Sequence, residues 1–166
     1  MKKAIVSLSV VLLAFGISTS FAAFDEQGYV TEVTGTVTYA EPGSSDFRPL
    51  KAGKYLDIGS TIRTGADGTA IVSLVRGSAV NVQPDTELVL TSLVPETDVT
   101  APQVLVNLRS GTMSALIDRD LENRPDFRIE TPQGTAAARG TFYSVSSRDG
   151  VTYAAVKEGQ VAVTRH

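Results

Sequence analysis

Two pairs of carboxylates stand at the spacing that hydrolytic or cation-binding chemistry asks for: Asp85 with Glu87, and Asp118 with Asp120 on either side of Arg119. Residues two apart on an extended chain share a face, and two carboxylates on one face are the minimum for glycoside hydrolysis or a hard-cation site. Neither pair grows into a larger pattern. The calcium-loop arrangement of alternating Asp or Asn with a Gly and a distal Glu is not completed anywhere, and carboxylates so spaced in turns are ordinarily solvated. The single histidine is His166, the last residue, where a fraying terminus is poorly placed to hold an imidazole. There is no cysteine, so thiol catalysis, thiolate metal ligation and disulfides drop out together. Residues 23–166 contain no Gly-x-Ser-x-Gly elbow, no Ser-x-x-Lys pair and no phosphate loop ending in Gly-Lys-Ser/Thr. The expectation is a chain that is not an enzyme and needs no cofactor or metal; a carboxylate-based hydrolase stands as an alternative on spacing alone.

A different stretch is set apart by composition, Thr131-Pro132-Gln133-Gly134-Thr135-Ala136-Ala137-Ala138-Arg139-Gly140-Thr141-Phe142. Its alanines and glycines permit close approach of backbone to backbone. On strict alternation Ala138, Gly140 and Phe142 share one face, and Arg139 shares the other with Ala137, Thr141 and Tyr143. The structural reading of Arg139 is a guanidinium laid over small side chains and bonded to carbonyls or a carboxylate, pinning a corner. The binding reading leaves it exposed and in contact with a partner.

Such a stretch needs strands to hold it. Tyr29, Thr31, Val33, Gly35, Val37 and Tyr39 fall on one face and Glu32, Thr34, Thr36 and Thr38 on the other, the pattern of a half-buried strand bent at Gly35. Thr69 to Val75, Ala79 to Val82, Glu87 to Val94, Gln103 to Leu108 and Thr112 to Ile117 repeat it, as do Phe127 to Glu130, Thr141 to Ser147, Val151 to Val156 and Gln160 to Thr164. Arg148-Asp149-Gly150 and Lys157-Glu158-Gly159 read as hairpin turns. Only Ile117 to Arg124 offers a helical turn, with Pro125 close behind. Pro95 to Pro102 reads as the longest loop, inside one domain. Gly followed by Thr or Ser recurs at irregular intervals, each time at a corner, which excludes a fixed-period repeat. The fold class expected is all-β: a twisted, irregular, solenoid-like β-sandwich of short strands.

Lys2 and Lys3, the apolar run Ala4 to Ile17 and the site Ser20-Phe21-Ala22 have the form of a cleavable export signal over residues 1–22, leaving 23–166 as one domain. Ser18 to Ser20 interrupt the run before it reaches the roughly 20 apolar residues of a membrane span. A soluble periplasmic or secreted domain without an anchor follows. Loss of Lys2 and Lys3 takes the formal charge from −3 to −5, which argues against nucleic acid as partner. The charge is uneven, since the later part holds Arg109, Arg119, Arg124, Arg128, Arg139 and Arg148.

The run from Thr131 to Phe142 resembles the signature of the FecR domain family, in which Thr-Pro-x-Gly leads into Arg-Gly-Thr and an aromatic residue. Earlier pieces agree in order: Gly35-x-Val37, Leu50-x-x-Gly53, Leu56-x-x-Gly59, Ile62-Arg63-Thr64-Gly65, Ala70 to Leu74, Gly77-Ser78, Val80-x-Val82 and Thr86-x-Leu88. So do Leu108-x-x-Gly111, Phe127-x-Ile129 and Glu158-Gly159-x-Val161, extending the resemblance from about Gly28 to Val163. Arg76 stands where the family most often has Asp. The resemblance implies Thr131, Pro132, Gly134, Arg139, Gly140, Thr141 and Phe142 as signature residues, structural first and binding second. It also implies a non-catalytic module that docks on an envelope protein in a signalling or envelope-assembly system. The founding members resemble relays that join a cytoplasmic sigma-factor segment to a periplasmic sensor; the sequence in hand carries the periplasmic part, so binding rather than direct sigma-factor control is expected. A cell-wall, polysaccharide or peptidoglycan binder is the alternative, with Tyr29, Tyr39, Tyr55, Tyr143 and Tyr153 as stacking faces. Oligomeric state is not specified by these patterns.

Intact-mass measurement of the exported protein should give a chain that begins at Ala23; a chain retaining Met1 in the membrane fraction would contradict the export reading.

Overall fold

Fourteen strands and no helix make up the computed structural model, which describes residues 27–98 and 100–165. The export segment and His166 lie outside the described residues. One sheet runs in the order β4 (Tyr55–Asp57), β1 (Gln27–Thr34), β6 (Thr69–Ser73), β7 (Ser78–Val82), the second half of β9 (Gln103–Ile117), β12 (Phe142–Arg148) and β13 (Val151–Glu158). The other runs β3 (Arg48–Pro49), β2 (Val37–Ala40), β5 (Thr61–Thr64), β8 (Glu87–Val94), the first half of β9, β10 (Asp126–Thr131), β11 (Gly134–Arg139) and β14 (Val161–Arg165). Every pairing is antiparallel except that of β9 with β10. The all-β, curled sandwich expected from the alternation is the observed fold.

The two sheets share β9, which turns from one to the other at Gly111, where φ is +93°. A Cβ there would lie 2.4 Å from the Asp85 carbonyl oxygen and 2.5 Å from Thr86 Cα, so only glycine fits both the conformation and the space. Buried Thr86 fastens the bend: its hydroxyl accepts the Thr112 amide at 2.9 Å and donates to the Thr112 carbonyl at 3.0 Å. Thr64 holds Thr86 in turn, accepting its amide at 2.9 Å and donating to the Gln83 carbonyl at 2.7 Å.

Cross-strand rows show how the alternation builds one core. In the first sheet Val30, Val72, Val80, Ala115 and Tyr143 stand opposite one another in register, all with no exposed surface. In the second, Leu90, Val106, Ile129 and Ala136 form the equivalent row. Each fully buried Val, Leu or Ile contributes roughly 1.5–3 kcal/mol, so these rows dominate stability. Tyr143 joins the sheets: its ring meets Phe127 edge-on at 6.4 Å and its hydroxyl donates to the Phe127 carbonyl at 3.1 Å. Burial first, and the Asp126 charge second, push its phenol far above the ordinary range, so it is a fixed donor.

Three local readings are corrected. Val30, not Tyr29, faces the core, because a bulge between Val30 and Glu32 shifts the register and returns Val33 to the inner side. The segments around Leu105 and Ser114 are one strand rather than two, since Gly111 bends β9 without ending it. Residues 118–124 make no helical turn; the Asp118 carboxylate takes the Asp120 amide at 2.9 Å, a local bond that competes with a helix. A fourth reading is corrected in part. The Asp149-Gly150 hairpin is found, both residues at positive φ, but Lys157-Glu158-Gly159 is a corner and not a hairpin, since β13 pairs with β12 and β14 with β11, and Gly159 at positive φ carries the chain from one sheet to the other.

On the outer surface of the second sheet Glu87 receives Arg63 at 2.7 Å and Arg109 at 2.8 Å, and Arg63 also lies over the Phe47 ring at 4.0 Å. Partial burial alone would push the Glu87 carboxyl up, but the hydrogen bonds from Arg109 and Arg63, with their charges, outweigh it and hold the carboxyl below its usual range. A depressed carboxylate stabilises the fold above its unfolded pKa, and that contribution fades as pH falls through the lower folded value. Glu87→Gln should therefore lose about 1 kcal/mol at pH 7 and approach wild type in urea unfolding below about pH 4; a difference independent of pH would refute the pairing.

Candidate functional site

The distinctive stretch forms the end of β10, a hairpin, β11 and a corner into β12, and it therefore passes from the second sheet to the first. Thr131 is buried; its hydroxyl donates to the Gly134 carbonyl and lies 2.9 Å from the Thr152 hydroxyl of β13. Gln133 adds a second tie across the sheets, its side-chain oxygen accepting from Thr152 at 2.7 Å and from Ser147 at 3.3 Å. Pro132 is exposed in the turn. Gly134 is where β14 comes closest, since a Cβ would sit 2.3 Å from the Thr164 carbonyl oxygen.

The corner itself departs from the simple alternation. Ala138 points into the core, Arg139 points out, Gly140 takes φ +64°, and the strand resumes with Phe142 outside and Tyr143 inside. Ala138 and Phe142 thus lie on opposite sides, because the glycine reverses the chain between them. Arg139 is not a buried lock. Its side chain is 69% exposed and meets Asp126, its cross-strand neighbour, at 3.5 Å, while Asp126 is bonded more closely by Arg128 at 2.9 Å. Alternation alone does not separate the two readings, since it sets Arg139 opposite Ala138 without fixing which of the two faces is the inner one; the pairing with Asp126 on β10 does. Thr141 is buried and its hydroxyl donates to the Arg139 carbonyl at 3.3 Å.

Phe142 leads from this corner onto a surface that single-strand patterns do not reveal. On the outside of the first sheet Tyr55, Tyr29, Ser73, Ala79, Leu116 and Phe142 form one row in register. Tyr29 and Tyr55 pack as a tilted pair with centroids 4.9 Å apart, and Leu116 and Phe142 stay 40% exposed at the far end. Between the end groups the outward residues of β6, β7, β9 and β12 are small or uncharged, Asn81, Ser114 and Ser144 among them. A groove of about 610 Å³ opens beside the β6–β7 turn, lined by Ala79, Leu116 and Phe142 together with the charged Arg76 and Asp118, and Lys157 lies over the Phe142 ring at 5.6 Å. The outside of the second sheet is the reverse, carrying Arg63, Glu87, Arg109, Asp126, Arg128 and Arg139.

The carboxylate pairs do not converge. Glu87 is clamped by two guanidiniums, Asp85 sits at φ +53° in the turn against Gly111, and Asp118 is engaged with the Asp120 amide. Among the described residues no group of three or more His, Asp or Glu is placed to hold a metal ion. Of the five tyrosines, Tyr39 and Tyr143 are buried, whereas Tyr29, Tyr55 and Tyr153 are accessible. Sheet register, which depends on partners distant in sequence, is what assembles the neutral row.

A family model described as FecR protein matches residues 60–162, well over half of the chain. No curated protein matches it. Among solved structures, a Parabacteroides distasonis ATCC 8503 protein assigned as an anti-sigma factor is similar at 21% identity with a TM-score of 0.48; the match covers 64% of this chain and 50% of that one.

Because Arg139 is exposed, Arg139→Ala should stay within about 0.5 kcal/mol of wild type in urea unfolding. Gly140→Val, strained at positive φ and crowding Arg124, should lose about 1–3 kcal/mol. The reverse order would restore the buried lock.

Proposed function

We propose, for a chain that belongs to the FecR protein family, that it is a non-catalytic regulatory binding module which docks on a protein of the cell envelope. The observation that carries this reading is the outer face of the first sheet, whose row from Tyr55 to Phe142 holds no charged residue and ends in exposed Leu116 and Phe142 beside a largely apolar groove, with charge only around it: Lys157 over the Phe142 ring, and Arg76 and Asp118 in the groove lining. Contiguous apolar surface of this kind, set against a charged opposite face, is what a protein partner desolvates on binding. Two aromatic or aliphatic anchors next to a groove supply the centre of such an interface. The export reading of residues 1–22 supports placing the module in the periplasm or outside the cell, where an envelope protein is available to it. Its role in a signalling or envelope-assembly system is the inheritance of the family rather than a property of one residue.

A second reading has its own observation. Tyr29 and Tyr55, exposed and tilted at 4.9 Å, present ring surface at the opposite end of the same row, which suits stacking on a sugar.

In-cell crosslinking tests both. The wild-type exported protein should capture an envelope protein, and Leu116→Glu with Phe142→Glu should abolish that capture while shifting stability little, since both side chains are already half exposed. Arg128→Glu on the charged sheet should keep it. Recovery with the sacculus alone, lost in Tyr29→Ala with Tyr55→Ala, would replace the docking reading by the glycan one.

A further inference from the structure

We propose that the open end of the sandwich, between β13 and β14, accepts an extended segment of another protein, which adds as a strand to the free edge of β13. The proposal rests on the reading of this chain as a protein-binding module and names the chemistry of a partner segment.

Four strands pair on one side only among the described residues: β3, β4, β13 and β14. The two ends of the sandwich differ. At the first end β3 has two residues, one of them Pro49, and β4 has three including Asp57, the short and charged forms that discourage pairing. The chain between them closes that end: Leu50 and Leu56 are buried, Gly53 donates to the Val30 carbonyl at 2.8 Å, and Leu50 donates to the Val37 carbonyl at 2.9 Å. At the second end only a turn at Gly159 and Gln160 connects β13 to β14. From Val151 to Val156 the edge of β13 contains no charge, proline or glycine.

The buried rows show what is left uncovered. The row Val30, Val72, Val80, Ala115, Tyr143 is sealed along its length, yet its next member, Val156, is 41% exposed. The row Leu90, Val106, Ile129, Ala136 is sealed likewise, yet its next member, Val163, is 62% exposed. Both valines face inward in register, so a strand beside β13 would continue the rows. An unpaired strand edge is satisfied by another extended backbone, and the pleat places every second side chain of that backbone inward. The segment that fits is therefore apolar at alternate positions.

Charge selects the source. A space of about 520 Å³ at the wide end is lined by Val151, Thr152, Val163 and Arg165, with Arg165 the one charged residue of the lining; Asp149, in the neighbouring turn, is not part of it. An acidic residue at the end of the added strand meets Arg165. A second copy fits worse, because the two molecules carry like net charge.

The probe is a nine-residue synthetic peptide of alternating valine and threonine with aspartate at each end, added to the purified protein, and the readout is amide hydrogen exchange. Exchange of residues 151–157 should slow at least tenfold, and a lysine-ended peptide should bind several-fold more weakly, with the order reversed in Arg165→Glu. Val156→Lys should abolish the protection without lowering the melting temperature, because the valine is already exposed. Equal protection by a peptide of the same composition with its valines grouped, or none at all, overturns the proposal. Protection that rises with protein concentration alone, with a dimer in sedimentation, overturns it in favour of a second copy. Protection at 112–116 and 142–146 instead leaves the docking face standing and removes strand addition.

Discussion

The bend of β9 at Gly111 is the constraint on which the rest of the molecule depends. A strand that serves two sheets must turn between them without losing its ladder, and here it turns where its backbone lies against Asp85 and Thr86 too closely for any side chain. The hydroxyls of Thr64 and Thr86, buried and fully used, hold the turn of residues 83–87 onto that bend. Buried hydroxyls are costly when unpaired and directional when paired, so this network sets the angle between the sheets as well as their attachment. The parallel pairing of β10 and the antiparallel pairing of β12 both take their register from the same strand.

That arrangement determines which surfaces remain available. Because one strand feeds both sheets, each sheet has one outer face, and charge is distributed between them unequally: ion pairs cover one, while small hydroxyl and apolar side chains cover the other. The family signature lies where the chain passes between the sheets at their open side. Thr131, Gln133 and Thr152 bridge the two layers there, Gly134 lets β14 approach, and Gly140 reverses the strand so that Phe142 emerges on the neutral face. The stretch from Thr131 to Phe142 thus shapes the scaffold and, through its last residue, touches the surface proposed for docking.

How far the sequence foretells this follows from the range of each interaction. Alternation in β6, β7, β12 and β13 is local and marks those strands, and the Asp149-Gly150 turn is equally local. The inward placement of Val30 depends on a bulge against β6, some forty residues away, so a uniform period reads Tyr29 as core. Short β3 and β4 carry too few residues for a period and are held by backbone bonds from residues 50–56. Arg139 was ambiguous because its type suits both a lock and a surface contact, and only the register opposite Asp126 places it outside. The row from Tyr55 to Phe142 draws one residue from each of six strands, an arrangement no single stretch of chain contains.

The most direct test of this account is the urea unfolding of Gly111→Ala. A methyl group at that site cannot avoid backbone atoms of Asp85 and Thr86, and alanine is strained at φ +93°. A loss of more than about 2 kcal/mol, read identically by probes in both sheets, is the result expected if β9 is the common strand. A variant within about 0.5 kcal/mol of wild type, or two separate transitions for the two sheets, would contradict it.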